Sequence, residues 1–148
     1  MKMECIFIDM DFEKIEKIKE LVKSTPYYKF LGIKVIELNK GFSHLQLDFR
    51  DELTNIRGVV HGGAIASLAD SAGALASVLL LGEGEFITTV ELKINYLIPF
   101  KKEKIDAFGK LIYKGSRIAV SEVDLKDKEK NLIAKAIVTL SIINQNIL

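Results

Sequence analysis

The chain has 148 residues, 49% of them hydrophobic, and its 21 Lys and Arg nearly cancel its 20 Asp and Glu to leave a formal net charge of +1. That length suits one domain with one core, and the apolar content argues against disorder. The balanced charge leaves no basic field for nucleic acid and no acidic tail; a single cysteine, Cys5, rules out an intramolecular disulfide framework or a paired-cysteine zinc site; and His44 and His61 match no metal-ligand spacing, so no metal and no cofactor are expected.

The opening run MKMECIFIDMDFEK is apolar but broken by Glu4 and Asp9, which makes a poor signal peptide, and a reduced cytoplasmic location is expected. Residues 11–24 predict an amphipathic helix, with Phe12, Ile15, Ile18 and Val22 on one face and a Lys/Glu pattern on the other. Pro26 stops it, and PYYKFLG reads as a turn or short helical loop. Residues 33–38 and 42–50 predict two strands around Asn39-Lys40-Gly41, where glycine supplies the positive φ of a hairpin turn. In the second strand Leu45, Leu47 and Phe49 share a face.

After the loop DELTNIRG comes the longest apolar segment, residues 59–81. At roughly 20 residues it is long enough to span a membrane. It is, however, rich in Ala, Gly and Ser, carries Asp70 near its centre and is flanked by strand-like segments, so it reads as a helix buried on all sides of a soluble protein with no membrane partner. Following GEGE, residues 86–98 alternate, with Thr88, Val90, Leu92, Ile94, Tyr96 and Ile98 expected on one face and Pro99 as the stop. Residues 104–113 and 118–126 predict a hairpin around Lys114-Gly115-Ser116-Arg117, and a last strand runs over 132–143. No linker or internal repeat divides the chain. The expected fold is α+β: one domain over residues 1–148, a curved, mostly antiparallel sheet of five to six strands wrapped around one long buried helix.

Asp70 is the residue that needs a reason, because an isolated carboxylate in apolar surroundings is costly. Eight residues before it, Gly62 opens the helix. The first turn of a helix has N–H groups without internal partners and a partial positive charge, a ready site for an oxyanion. At 1.5 Å rise per residue the two positions lie on the order of 12 Å apart, too far to serve one carbonyl within one subunit. Two helices packed antiparallel across a two-fold axis would bring Asp70 of one chain to Gly62 of the other.

Asn55, His61-Gly62-Gly63 and Leu68-Ala69-Asp70, followed by the strand Thr89-Val90-Glu91-Leu92-Lys93-Ile94-Asn95-Tyr96 and by Pro99, resemble the hot-dog-fold thioesterases of the phenylacetic-acid-degradation type over roughly residues 28–143. The resemblance implies a hot-dog fold, a homodimer or dimer of dimers, and metal-independent hydrolysis of acyl-CoA thioesters. It implies that Asp70 is nucleophile or general base and that the Gly62 N–H polarises the thioester carbonyl, with Gly63 beside it. His61 and Asn55 would orient substrate or water, and Thr89 would stand near that water, with Thr88, a substrate-binding candidate, as the other residue that could hold this place. Lys114, Gly115, Ser116 and Arg117 would meet the CoA phosphates, although relatives carry a more basic turn there.

Simpler roles stand beside these. His61 and Asn55 can merely shape the start of the helix and its loop, Thr89 can serve a strand through β-propensity, and Lys114 and Arg117 can be a solvated turn. No serine-hydrolase elbow and no nucleotide-binding glycine motif occurs in the chain. The alternative from another class is a non-catalytic acyl-CoA sensor. The acyl group stays open among aryl-acetyl, benzoyl-type and medium-chain, as does CoA against acyl-carrier protein.

Overall fold

The computed structural model describes residues 2–101 and 103–144, with side chains described from Phe12 onward in the first helix. Its elements are α1 (Lys2–Ser24), α2 (Pro26–Leu31), β1 (Ile33–Asn39), β2 (Phe42–Leu47), a short 3-10 turn (Asp51–Leu53), α3 (Gly62–Val78), β3 (Glu85–Tyr96), β4 (Ile105–Lys114), β5 (Ile118–Lys126) and β6 (Leu132–Asn144). The six strands form one sheet in the order β1-β2-β4-β5-β6-β3, and every neighbouring pair is antiparallel. α3 touches all six strands, which requires the sheet to curl around it.

The reason for this architecture is visible in α3. Leu68, Ala69, Ala72 and Ala76 are fully buried, and their counterparts on the sheet are the buried Leu45, Leu47, Val123, Leu125, Val138 and Leu140. Burial of such surface is worth about 25 cal/mol per Å². Small residues set the distance. A Cβ at Gly73 would lie 2.6 Å from Val138 Cγ2, and one at Gly109 would lie 2.3 Å from the Ala72 carbonyl oxygen. Ser43, buried opposite, donates its hydroxyl to that same carbonyl at 2.7 Å.

The expected Gly41 turn joins β1 to β2, with Gly41 at φ +80. Three expectations need correction. The first helix begins at Lys2 rather than 11, since no glycine or proline interrupts residues 2–24. The central helix runs 62–78 rather than 59–81. Its approach is extended, with Val60 bridged to Thr54, and residues beyond Val78 leave through Leu80 N–H to Ser77 O. No helix among the described residues is long and apolar enough to cross a membrane.

The third correction concerns β3. Thr88, Val90 and Leu92 do not share a face, because a bulge between Thr89 and Glu91 leaves Val90 as the extra residue. Thr89 pairs with the buried Leu140, while Leu92, Ile94 and Tyr96 pair with Val138, Ala136 and Ala134. One extra residue reverses the side-chain parity. Ile87 and Thr89 therefore face α3 on one side of the bulge, and Leu92, Ile94 and Tyr96 face it on the other. β3 is also the edge of the sheet, paired only with β6, and Val90 is 62% exposed there.

Candidate active site

His61 starts the site. It is the N-cap of α3, in extended conformation, and its Nδ1 accepts from the Gly63 N–H at 2.8 Å. A neutral ring accepting at Nδ1 carries its proton on Nε2, so the exposed edge of this imidazole is a donor. The Ala64 and Ile65 N–H groups donate to the His61 carbonyl at 3.0 and 3.3 Å. A helix begins with four N–H groups that lack helical partners. Here those four belong to His61, Gly62, Gly63 and Ala64; the His61 N–H donates to the Leu53 carbonyl at 2.7 Å, Gly63 and Ala64 are satisfied as above, and the Gly62 N–H has no hydrogen bond among the described residues.

Gly62 is among the residues that line a cleft of about 390 Å³, with Asn55, Val60, Ile65, Tyr96 and the segment Leu97–Phe100. Asn55 is held by its loop: its Oδ1 accepts from the Arg57 N–H at 2.8 Å, its own N–H donates to Val59 O, and its carbonyl accepts from Gly58 N–H. The bond to Oδ1 fixes the amide's orientation and leaves Nδ2 without a partner among the described residues. Gly62 and Asn55 thus line one cleft, and each has a donor without a partner among the described residues.

Asp70 stands on the half-buried strip of α3 formed with Ser67, Ala74 and Val78. Its Oδ1 accepts from Thr89 Oγ1 at 2.8 Å. The bulge decides between the two threonines: Thr89 points to Asp70, and Thr88, paired with Ser141, points away. Tyr27 of α2 reaches the same strip, with its hydroxyl 2.6 Å from Ser67 Oγ.

The turn at Gly115–Arg117 shares no hydrogen bond with either group among the described residues. It is closed by Gly115 N–H to Ile118 O at 2.8 Å, and Lys114, Ser116 and Arg117 are exposed. Neither Lys114 nor Arg117 forms an ion pair among the described residues. Asn55 with Gly62, and Asp70 with Thr89, are therefore two groups that share no hydrogen bond among the described residues.

The interactions of two residues were not legible in the sequence. Tyr96 reads from its strand as one more alternating apolar position, yet its hydroxyl donates to the Gly62 carbonyl at 2.9 Å. Burial pushes its phenol up, so it stays protonated and a donor at neutral pH. His44, given no role by its strand pattern, lies 2.8 Å from the buried Asp106 on the outer face of the sheet. Gln46 donates to the same carboxylate at 2.8 Å. Burial alone would raise the Asp106 carboxyl. The hydrogen bonds from Gln46 and His44, with the charges of His44 and Lys130, outweigh it and hold the group below the usual carboxylate range.

Residues 57–134 match the thioesterase superfamily. Two proteins of Saccharolobus solfataricus described as esterases are 40% and 37% identical, each over 84% of this chain and over 89% and 83% of their own length. The medium/long-chain acyl-CoA thioesterase YigI of Escherichia coli is 29% identical over 77% of this chain and 83% of its own. Among solved structures, a Haemophilus influenzae thioesterase superposes with a TM-score of 0.81 at 29% identity, covering 87% of this chain and 90% of that one.

Proposed function

For a chain that belongs to the thioesterase superfamily, and is by that membership a thioester hydrolase, we propose that the substrate is an acyl-CoA and that the active site is shared between two copies of the chain. The observation that carries this reading is the pair of half-sites. Asp70 and Gly62 lie eight residues apart on α3, about 12 Å by helical rise. An antiparallel partner helix would set the partner's Gly62 and Asn55 against Asp70 and Thr89.

The chemistry follows from the two halves. Thr89 holds Asp70 Oδ1 and leaves Oδ2 to act. Asp70 serves as general base, taking a proton from water as the water oxygen attacks the thioester carbonyl carbon, or as the nucleophile itself. The carbonyl π electrons move to oxygen, where the Gly62 N–H and Asn55 Nδ2 of the partner chain would hold the negative charge. The carbonyl re-forms, the carbon–sulfur bond breaks, and CoA leaves as thiolate or takes the proton from Asp70. In the general-base route the other product is the free acid; in the nucleophile route CoA leaves as thiolate, the acyl group stays on Asp70 as a mixed anhydride, and water then hydrolyses that anhydride to the free acid and the restored carboxylate.

The association is supported by the edge position of β3, whose outer rim is unpaired over a 12-residue strand and carries the exposed Val90. Long bare edges are covered in stable proteins. Among relatives, the name of the Escherichia coli enzyme at 29% identity favours medium to long acyl chains. The Lys114–Arg117 turn, unpaired and exposed, is suited to the CoA phosphates. Thiol release measured over a panel of acyl-CoA thioesters tests the reading. Turnover of at least one class supports it. Binding of acyl-CoA without thiol release would instead identify a sensor.

A further inference from the structure

We infer that Tyr96 is a positioning residue for the oxyanion donor: with His61 it clamps the Gly62–Gly63 peptide from both ends. The inference rests on the role proposed above for the Gly62 N–H. The Gly62 carbonyl and the Gly63 N–H belong to one peptide unit. Tyr96 Oη donates to its oxygen at 2.9 Å, and His61 Nδ1 accepts from its nitrogen at 2.8 Å. Two consecutive glycines are the least constrained pair with which to begin a helix, and helix ends fray. Fixing the peptide plane that follows Gly62 restricts the rotation that would otherwise let its own N–H swing out of the cleft.

Gly62 is also what allows the clamp to close. A Cβ at Gly62 would lie 3.2 Å from Tyr96 Cζ and 3.4 Å from Oη, so the tyrosine ring occupies the space a side chain would take. Tyr96 and Thr89 are seven residues apart on one strand. Strict alternation would place them on opposite faces. The bulge at Val90 turns both toward α3. One backbone irregularity thus serves both half-sites: it aims Thr89 at Asp70 and Tyr96 at Gly62.

Tyr96→Phe keeps the ring and removes the donor, so it separates positioning from packing. We expect kcat for the best acyl-CoA to fall about tenfold, the scale of one neutral hydrogen bond, with KM within twofold and the thermal midpoint unchanged. Amide hydrogen exchange at Gly63 should speed up by a similar factor while exchange in the core strands stays the same. Unchanged exchange at Gly63 in Tyr96→Phe overturns the clamp. So does a loss of kcat accompanied by uniformly faster exchange, which would mark a packing role only. If the wild-type protein releases no thiol from any acyl-CoA, the thioesterase reading fails, and the exchange measurement alone still decides the clamp.

Discussion

Thr89 Oγ1 donates a 2.8 Å hydrogen bond to Asp70 Oδ1, tying the middle of the sheet's edge strand to the middle of its buried helix. The bond occupies one carboxylate oxygen, and the other has no hydrogen bond among the described residues. It explains how a carboxylate can stand in an apolar helix, since it is half-buried, hydrogen-bonded and placed at a surface that a second copy can cover.

Removing the charge of Asp70 while keeping its shape is the first expectation. Asp70→Asn should lower kcat by about a hundredfold or more, the scale of general-base catalysis. Size-exclusion elution and thermal midpoint should match the wild type. Activity within a few-fold of wild type would return Asp70 to a structural role.

The two threonines should separate cleanly. Thr89→Val removes the donor to Asp70 and should reduce kcat by roughly 10- to 100-fold, the scale of one hydrogen bond to a charged group, with Thr89→Ser restoring most of it. Thr88→Val, on the opposite face, should leave steady-state kinetics unchanged. Equal effects from both substitutions would contradict the register at the Val90 bulge.

If the Lys114–Arg117 turn meets phosphates, changing both cations to alanine should raise KM for acyl-CoA and leave kcat nearly intact, as expected for uniform binding. The effect should shrink with added salt, and KM for a pantetheine thioester lacking the nucleotide should not move. A KM unchanged at low salt would leave the turn merely solvated.

Asp106 makes a prediction about stability against pH. Its carboxyl is held below the usual range in the folded chain, so the unfolded chain binds the proton more tightly. The stabilisation is present above the unfolded pKa of about 3.9 and is lost as pH falls through the lower folded value. Asp106→Asn should cost about 1–3 kcal/mol at pH 7, measured by urea denaturation. The gap from wild type should close as pH drops below about 4. A gap constant from pH 7 to pH 2 would show that the charge is not the cause.

Much of this was readable before any coordinates. Periodicity located every strand to within a few residues, because each buries one face against α3, and the small residues of 62–78 foretold a close helix–sheet approach. Asp70 stood out because a lone charge in an apolar segment has few affordable explanations. The bulge at Val90 was hidden, because an extra residue in a strand of β-branched and apolar types leaves no local mark. Its concealment is why alternation sets Thr88, and not Thr89, on the face of Leu92, Ile94 and Tyr96, and why Tyr96 reads as an ordinary strand position. The His44–Asp106 pair was hidden for another reason: the residues are 62 apart and meet only through the β2–β4 register.

The central claim is that Asp70 of one chain acts with Gly62 of another, and mixed dimers test it most directly. Gly62→Val places a branched side chain against Tyr96 and over the donor, and should be inactive alone, as should Asp70→Asn. When the two are co-expressed with different tags and the mixed dimers purified, one site carries both lesions and the other carries neither. The shared-site account predicts about half of wild-type kcat per dimer, with a KM equal to wild type. Purified mixed dimers with no activity above either parent, or a wild-type monomer that turns over at full rate, would contradict it.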